Sequence, residues 1–171
     1  MSFRVIGIGE VLWDLLPSGP QLGGAPANFA YHAHALGARA RVITRVGDDR
    51  YGREIIRRFE DMGLDGSTVQ LDEVATTGTV TVALSGHGVP QDQVEVKDTV
   101  GAGDSFTAVL CLGLLCGMDL DEINAAANQI AAYVCGCVGA TPSLPEPLRR
   151  TFINSRTAPL TCSGRASAAI A

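Results

Sequence analysis

At 171 residues the chain has room for one hydrophobic core and is short for two. With 46% hydrophobic and 18% charged residues it is too apolar for a disordered chain. A formal net charge of -5 leaves no basic surface to neutralise a phosphate backbone, which excludes nucleic acid as an expected partner. Residues 1–17 lack the charged start, apolar run and cleavage site of a signal peptide, and no apolar stretch reaches bilayer length, so no membrane partner is expected. Cys111, Cys116, Cys135, Cys137 and Cys162 are an odd set outside a secretory context, read as reduced thiols of a cytoplasmic protein.

In chain order, residues 3–9 read as a short apolar strand ending in glycine. Gly23 and Gly24 mark a turn, and residues 27–36 carry small and apolar side chains at helical spacing up to Gly37. A second strand is expected over 41–46, followed by a turn at Gly47, Asp48 and Asp49. Residues 51–62 place Ile55, Ile56, Phe59 and Met62 on one helical face, with Gly63 as the stop. The β-branched stretch 76–84 predicts a strand and residues 94–96 a shorter one. Helices follow over 103–115 and 119–133, the second capped by Asp119 with Asp121 and Glu122 in its first turn. Pro142, Pro145 and Pro147 are read as breaks. Residues 151–171 show no sustained period and read as a loose tail. There is no internal repeat.

The motif richest in chemistry is Asp98-Thr99-Val100-Gly101-Ala102-Gly103-Asp104, a glycine-rich turn between a short strand and an apolar helix. Glycines allow the backbone to approach an anion, and the amides of Ala102, Gly103 and Asp104 at a helix N-terminus would face a phosphoryl oxygen. Asp104 beside such a cradle has the chemistry of a general base for an attacking hydroxyl. The competing reading is a helix cap on an ordinary turn. A second motif, Gly9 to Asp14 followed by Gly23 to Asn28, offers a carboxylate and an amide suited to paired sugar hydroxyls. Here too turn and helix-start roles explain Asp14 and Asn28 equally well.

The two motifs in this order, with the matches at residues 43–52, 76–84 and 137–145, resemble the ribokinase family, also called PfkB carbohydrate kinases. They look most like its fructokinase branch. The resemblance implies an α/β, three-layer ribokinase-like fold with a small β lid, formed by segments near 17–24 and 76–84. It implies ATP-dependent phosphorylation of a sugar hydroxyl, with Asp104 as base and Gly101, Ala102 and Gly103 as the anion hole. Asp14, Gly24 and Asn28 become the expected sugar contacts, and Thr99, Cys135 and Gly139 the nucleotide contacts. Cys135 is read either as part of the adenine wall or as a small core cysteine. Asp98 is read either as a ligand for a monovalent cation such as K+ or as a plain strand end. ATP and Mg2+ are the expected cofactors, and a homodimer through the lid is the expected assembly.

Other features stay with structural explanations. Cys135 and Cys137 form a CxC without a second pair, so zinc is not expected. His32 and His34 do not share a helical face, which argues against a metal pair. Trp13 is assigned to core packing, and Asp48 and Asp49 to turn chemistry. The opening GIGE lacks the third glycine of a dinucleotide fingerprint, which sets aside an oxidoreductase reading.

Relatives carry a long segment between the two motif blocks. Here it is nearly absent near 88–92, so the domain over residues 1–150 is expected to be internally truncated. The missing part normally supplies sheet strands, a magnesium-organising motif and part of the nucleotide wall. The alternative function is therefore a catalytically impaired remnant that retains sugar or partner binding.

Overall fold

A computed structural model describes residues 3–81 and 97–155. The strand expected at 94–96, the join near 88–92 and residues 156–171 of the expected tail lie outside them. So does the end of the strand expected over 76–84.

β1 (Arg4–Ile8) and β4 (Arg39–Gly47) pair in parallel, and β5 (Val69–Asp72) adds to the far side of β4, also in parallel. A 3-10 turn at Gly66–Thr68 leads into β5. β2 (Leu12–Leu16) and β3 (Gly19–Gly23) form a hairpin, and β6 (Thr79–Thr81) joins the outer edge of β2, giving a second small sheet where the lid was expected. The helices are α1 (Ala25–Ala35), α2 (Arg50–Asp61), α3 (Ala102–Cys116), α4 (Leu120–Cys135) and α5 (Glu146–Ser155). α1 packs on β1 and β4, α3 on α1, and α4 on α3, so the core lies on one face of the parallel sheet.

Strand alternation decides which face that is. Along β4 Ala40, Val42, Thr44 and Val46 are buried, while Arg39, Arg41, Ile43 and Arg45 are exposed. β1 follows the same period, with Val5 and Gly7 inside and Ile6 and Ile8 outside at 52% and 70% exposure. A central parallel strand is normally apolar on both faces because helices cover both. Here no described helix covers the second face.

Local chemistry explains the boundaries. α1 begins earlier than its apolar period suggests because Pro26 sits in its first turn, where a fixed φ helps and a missing N–H costs nothing. Asp49 accepts from the Gly52 amide and caps α2, so the turn aspartate is also the helix start. Its carboxylate also holds the amide and hydroxyl of Thr77 at 2.8 Å, which pins residue 77 inward and delays the strand until Thr79. Those two partners and the Gly52 amide hold the Asp49 carboxyl below the ordinary carboxylate range.

The prolines near the end do not prevent a helix. Pro147 lies in the first turn of α5, where proline is tolerated, and α5 continues to Ser155 with Phe152 buried. Helix thus extends five residues past the boundary expected at 150. Trp13 is buried as assigned, its indole N–H donating to the Tyr51 carbonyl at 3.1 Å. Among the described residues no helix is long and apolar enough to cross a membrane.

Candidate functional site

The two sequence motifs meet through one hydrogen bond. Asn28, buried in the first turns of α1, donates from Nδ2 to Oδ2 of Asp104 at 2.8 Å across 76 residues of sequence. Asp104 stands in the first turn of α3 and is only partly buried, so its carboxylate is oriented from below and reachable from outside.

The turn ahead of α3 owes its shape to Gly101. That residue is the N-cap with φ 82, and a Cβ on it would run into the carbonyl oxygen of Ala140. Only glycine satisfies both conditions. At Gly103 a Cβ would meet nothing within 4 Å, so the helix flank at this residue is open. The Ala102 amide makes a long 3.3 Å bond to the Thr99 carbonyl, while the amides of Gly103 and Asp104 have no acceptor among the described residues. Two such amides at a helix N-terminus make a candidate anion cradle.

Asp98 ties this turn to the loop after α4. Its Oδ1 accepts from the Val100 amide at 3.0 Å and its Oδ2 from the Gly139 amide at 3.1 Å. The carbonyl of Cys135 accepts from the amides of Lys97 and Asp98 at 2.9 and 3.2 Å, so Cys135 anchors the start of this turn through its backbone, with its side chain half-buried. Gly139 has φ 85 and lies 3.9 Å, at its Cβ position, from Oε1 of Gln21 on β3, which brings the small sheet to the same loop. Thr99 is exposed at the rim.

Gly24 is the N-cap of α1 with φ 114, and a Cβ there would collide with the Glu10 carbonyl, so its first duty is backbone geometry. Asp14 sits on β2 opposite Gln21, with its carboxylate over Gly23, where a side chain would displace it. Among the described residues no hydrogen bond joins Asp14 to the Asn28–Asp104 pair. Asp14 thus approaches the site from the small sheet, whereas Asn28 and Asp104 approach it from the core.

His32 was assigned no role from sequence. It lies one turn beyond Asn28 on α1, fully buried, and its Nε2 is 3.0 Å from the Ala140 carbonyl oxygen. The available signal was its i+4 spacing from Asn28, which puts both side chains on one helix face.

The family described as pfkB family carbohydrate kinase matches residues 20–91 and 85–147. The chain belongs to this family. The pfkB match includes Gly24, Asn28, Asp98 and Asp104 and begins after the Gly9–Asp14 segment. A fructokinase from Klebsiella pneumoniae is 37% identical over 93 residues, covering 52% of this chain and 30% of that relative; the matched part spans less than a third of the relative's length. A sugar kinase from Pyrococcus horikoshii has a TM-score of 0.76 at 18% identity, covering 87% of this chain and 99% of that one. A structure of a ribokinase II from Escherichia coli in complex with ATP and Mg2+ has a TM-score of 0.73 at 16% identity, covering 90% and 99%. At such identities the two structures establish the ribokinase-type α/β fold.

Proposed function

We propose that this chain carries the sugar site and the phosphoryl-transfer site of an ATP-dependent, fructokinase-like carbohydrate kinase, with turnover impaired by its shortened middle. The observation that supports this most directly is the 2.8 Å bond between Asn28 and Asp104, which joins the sugar segment to the anion-cradle segment. Asp14, Gly24 and Asn28 serve the sugar. The Asn28 amide holds one oxygen of Asp104, leaving Oδ1 to accept the proton of the attacking sugar hydroxyl. The amides of Gly103 and Asp104, with Ala102 and the Gly101 turn, stabilise charge developing on the transferred group.

ATP fits the donor chemistry of the cradle, because the amides of Gly103 and Asp104 have no acceptor among the described residues, and when bound it would supply the phosphoryl group. Thr99, Cys135 and Gly139 border it. Magnesium fits less well: among the described residues no three His, Cys, Asp or Glu side chains converge on a metal position. A monovalent cation at Asp98 would share the carboxylate with the amides of Val100 and Gly139, which its remaining lone pairs permit.

The second reading, a remnant that binds sugar or a partner without turnover, is favoured by the uncovered face of the parallel sheet. Phosphoryl transfer depends on positioning, and misplacement alone costs about a hundredfold. A coupled ADP-release assay over hexoses and pentoses with Mg-ATP, beside calorimetric titration of each sugar, tests both readings. We expect measurable sugar binding, weak turnover, and loss of that turnover in Asp104→Asn with sugar affinity retained. Unchanged turnover in Asp104→Asn removes this residue from the mechanism, absence of sugar binding refutes the sugar site, and robust turnover refutes the impairment.

A further inference from the structure

α1 grips the site twice. Asn28 holds the Asp104 carboxylate, and one turn later His32 holds the carbonyl of Ala140, the residue whose backbone leaves no room for a Cβ on Gly101. A carbonyl oxygen only accepts, so the proton must sit on Nε2 and the ring is neutral with Nδ1 bare. Nδ1 is buried and has no hydrogen-bond partner among the described residues. A second proton there would be buried without an acceptor, and burial accordingly pushes the imidazole below its ordinary value, opposed by the Ala140 bond and the nearby Asp104 charge. The edge of the Tyr31 ring, 5.3 Å away between centroids, helps fix the imidazole plane.

Leaving Nδ1 unbonded costs stability, and an apolar residue of similar size would avoid that cost. What an apolar residue cannot do is hold Ala140. We propose that His32 is a positioning residue for the anion cradle: it fixes the Ala140 carbonyl, Ala140 fixes the Gly101 turn, and that turn aims the amides of Gly103 and Asp104. This rests on the proposed nucleotide role of the cradle, but the geometric coupling stands apart from it and is testable without nucleotide.

The test compares His32→Leu, which removes the donor, with His32→Gln, whose amide nitrogen lies at the same bond distance from the backbone as Nε2. Amide exchange is followed in the full chain without ligand at Ser105, bonded to the Gly101 carbonyl, and at Gly139, bonded to Asp98. The Leu64 amide, bonded to Phe59 beyond α2, is the remote reference. His32→Leu is expected to speed exchange at Ser105 and Gly139 about tenfold while Leu64 is unchanged, and His32→Gln to restore it. Long-range proton–nitrogen spectra should show a neutral ring protonated on Nε2. In titrations, His32→Leu should weaken Mg-ATP about tenfold and leave D-fructose unaffected.

Unchanged exchange at Ser105 and Gly139, or a uniform rise that includes Leu64, overturns the proposal. So does a ring protonated on Nδ1. If the unaltered chain binds no Mg-ATP, the nucleotide reading of the cradle fails, while the exchange arm still decides the role of His32. If His32→Leu does not fold, His32→Gln against His32→Asn decides, because asparagine places its nitrogen at the Nδ1 position and should not restore slow exchange.

Discussion

Val42 and Ile43 are neighbours on one strand, yet the first is fully buried and the second is 37% exposed. The face that carries Val42 leads through α1 to a junction where buried polar groups meet partners from distant parts of the chain, as Asn28 meets Asp104 and His32 meets Ala140. The opposite face carries Ile6, Ile8 and Ile43 among arginines, and no described element covers it. Selection for a site explains the first arrangement, since polar groups are buried only when paired. The second face stays uncovered among the described residues, while the junction that holds the two motifs together is fully formed.

The difference is sharpest where packing is densest. Phe59 on α2 is fully buried in the core, and Phe59→Ala should cost about 3–5 kcal/mol, read as a lower midpoint in urea at unchanged slope. A loss below about 1 kcal/mol would mean that the packed face is loosely held, and the contrast between the two faces would collapse.

Gly101→Ala comes next. It places a side chain at φ 82 and against the Ala140 backbone, so about 2–3 kcal/mol is expected. Gly103→Ala, with open space at its Cβ and ordinary helical geometry, should be close to neutral for stability. Equal losses at the two glycines in thermal unfolding would show that the turn is not shaped by Ala140.

Much of this junction was legible in sequence because its motifs are local. Gly101 to Asp104 and Gly23 to Asn28 each lie within a few residues, and glycine marks backbone needs that no other residue meets. Their meeting was legible only through family resemblance, since nothing in the spacing of Asn28 and Asp104 encodes a 2.8 Å contact. His32 escaped because its partner is a backbone carbonyl 108 residues away, and a carbonyl leaves no mark on composition. β3 fell within the lid that the resemblance implied, but β2 and β5 escaped for another reason. β2 belongs to a small sheet with little alternation, and β5 has its register set by β4 rather than by its own pattern. The three prolines misled about α5 because proline is a breaker inside a helix and a neutral residue in its first turn.

A smaller effect is expected at Asp49, which joins α2 to the segment before β6. Asp49→Ala should cost about 1 kcal/mol through the lost cap. Since the folded carboxyl lies below its ordinary value, this stabilisation is present above the unfolded pKa of about 3.9 and disappears as pH falls through the folded value. Denaturant midpoints of the wild type and variant should therefore differ at pH 7 and converge at strongly acid pH. A difference that grows on acidification would contradict the capping geometry.

The smallest effect on stability belongs to the uncovered face, and it tests the comparison most directly. Ile6→Thr and Ile8→Thr keep a β-branched residue suited to a strand and remove apolar area that the fold has not withdrawn from water. Each should change unfolding by no more than about 0.5 kcal/mol. Contiguous exposed apolar area favours association between molecules, so sedimentation at rising concentration should show less association for the double variant than for the unaltered chain. The two readouts are expected to part company, stability holding while association falls. A loss of several kcal/mol from either substitution would mean that Ile6 or Ile8 is covered in solution, and the sheet would then have to count as packed on both faces.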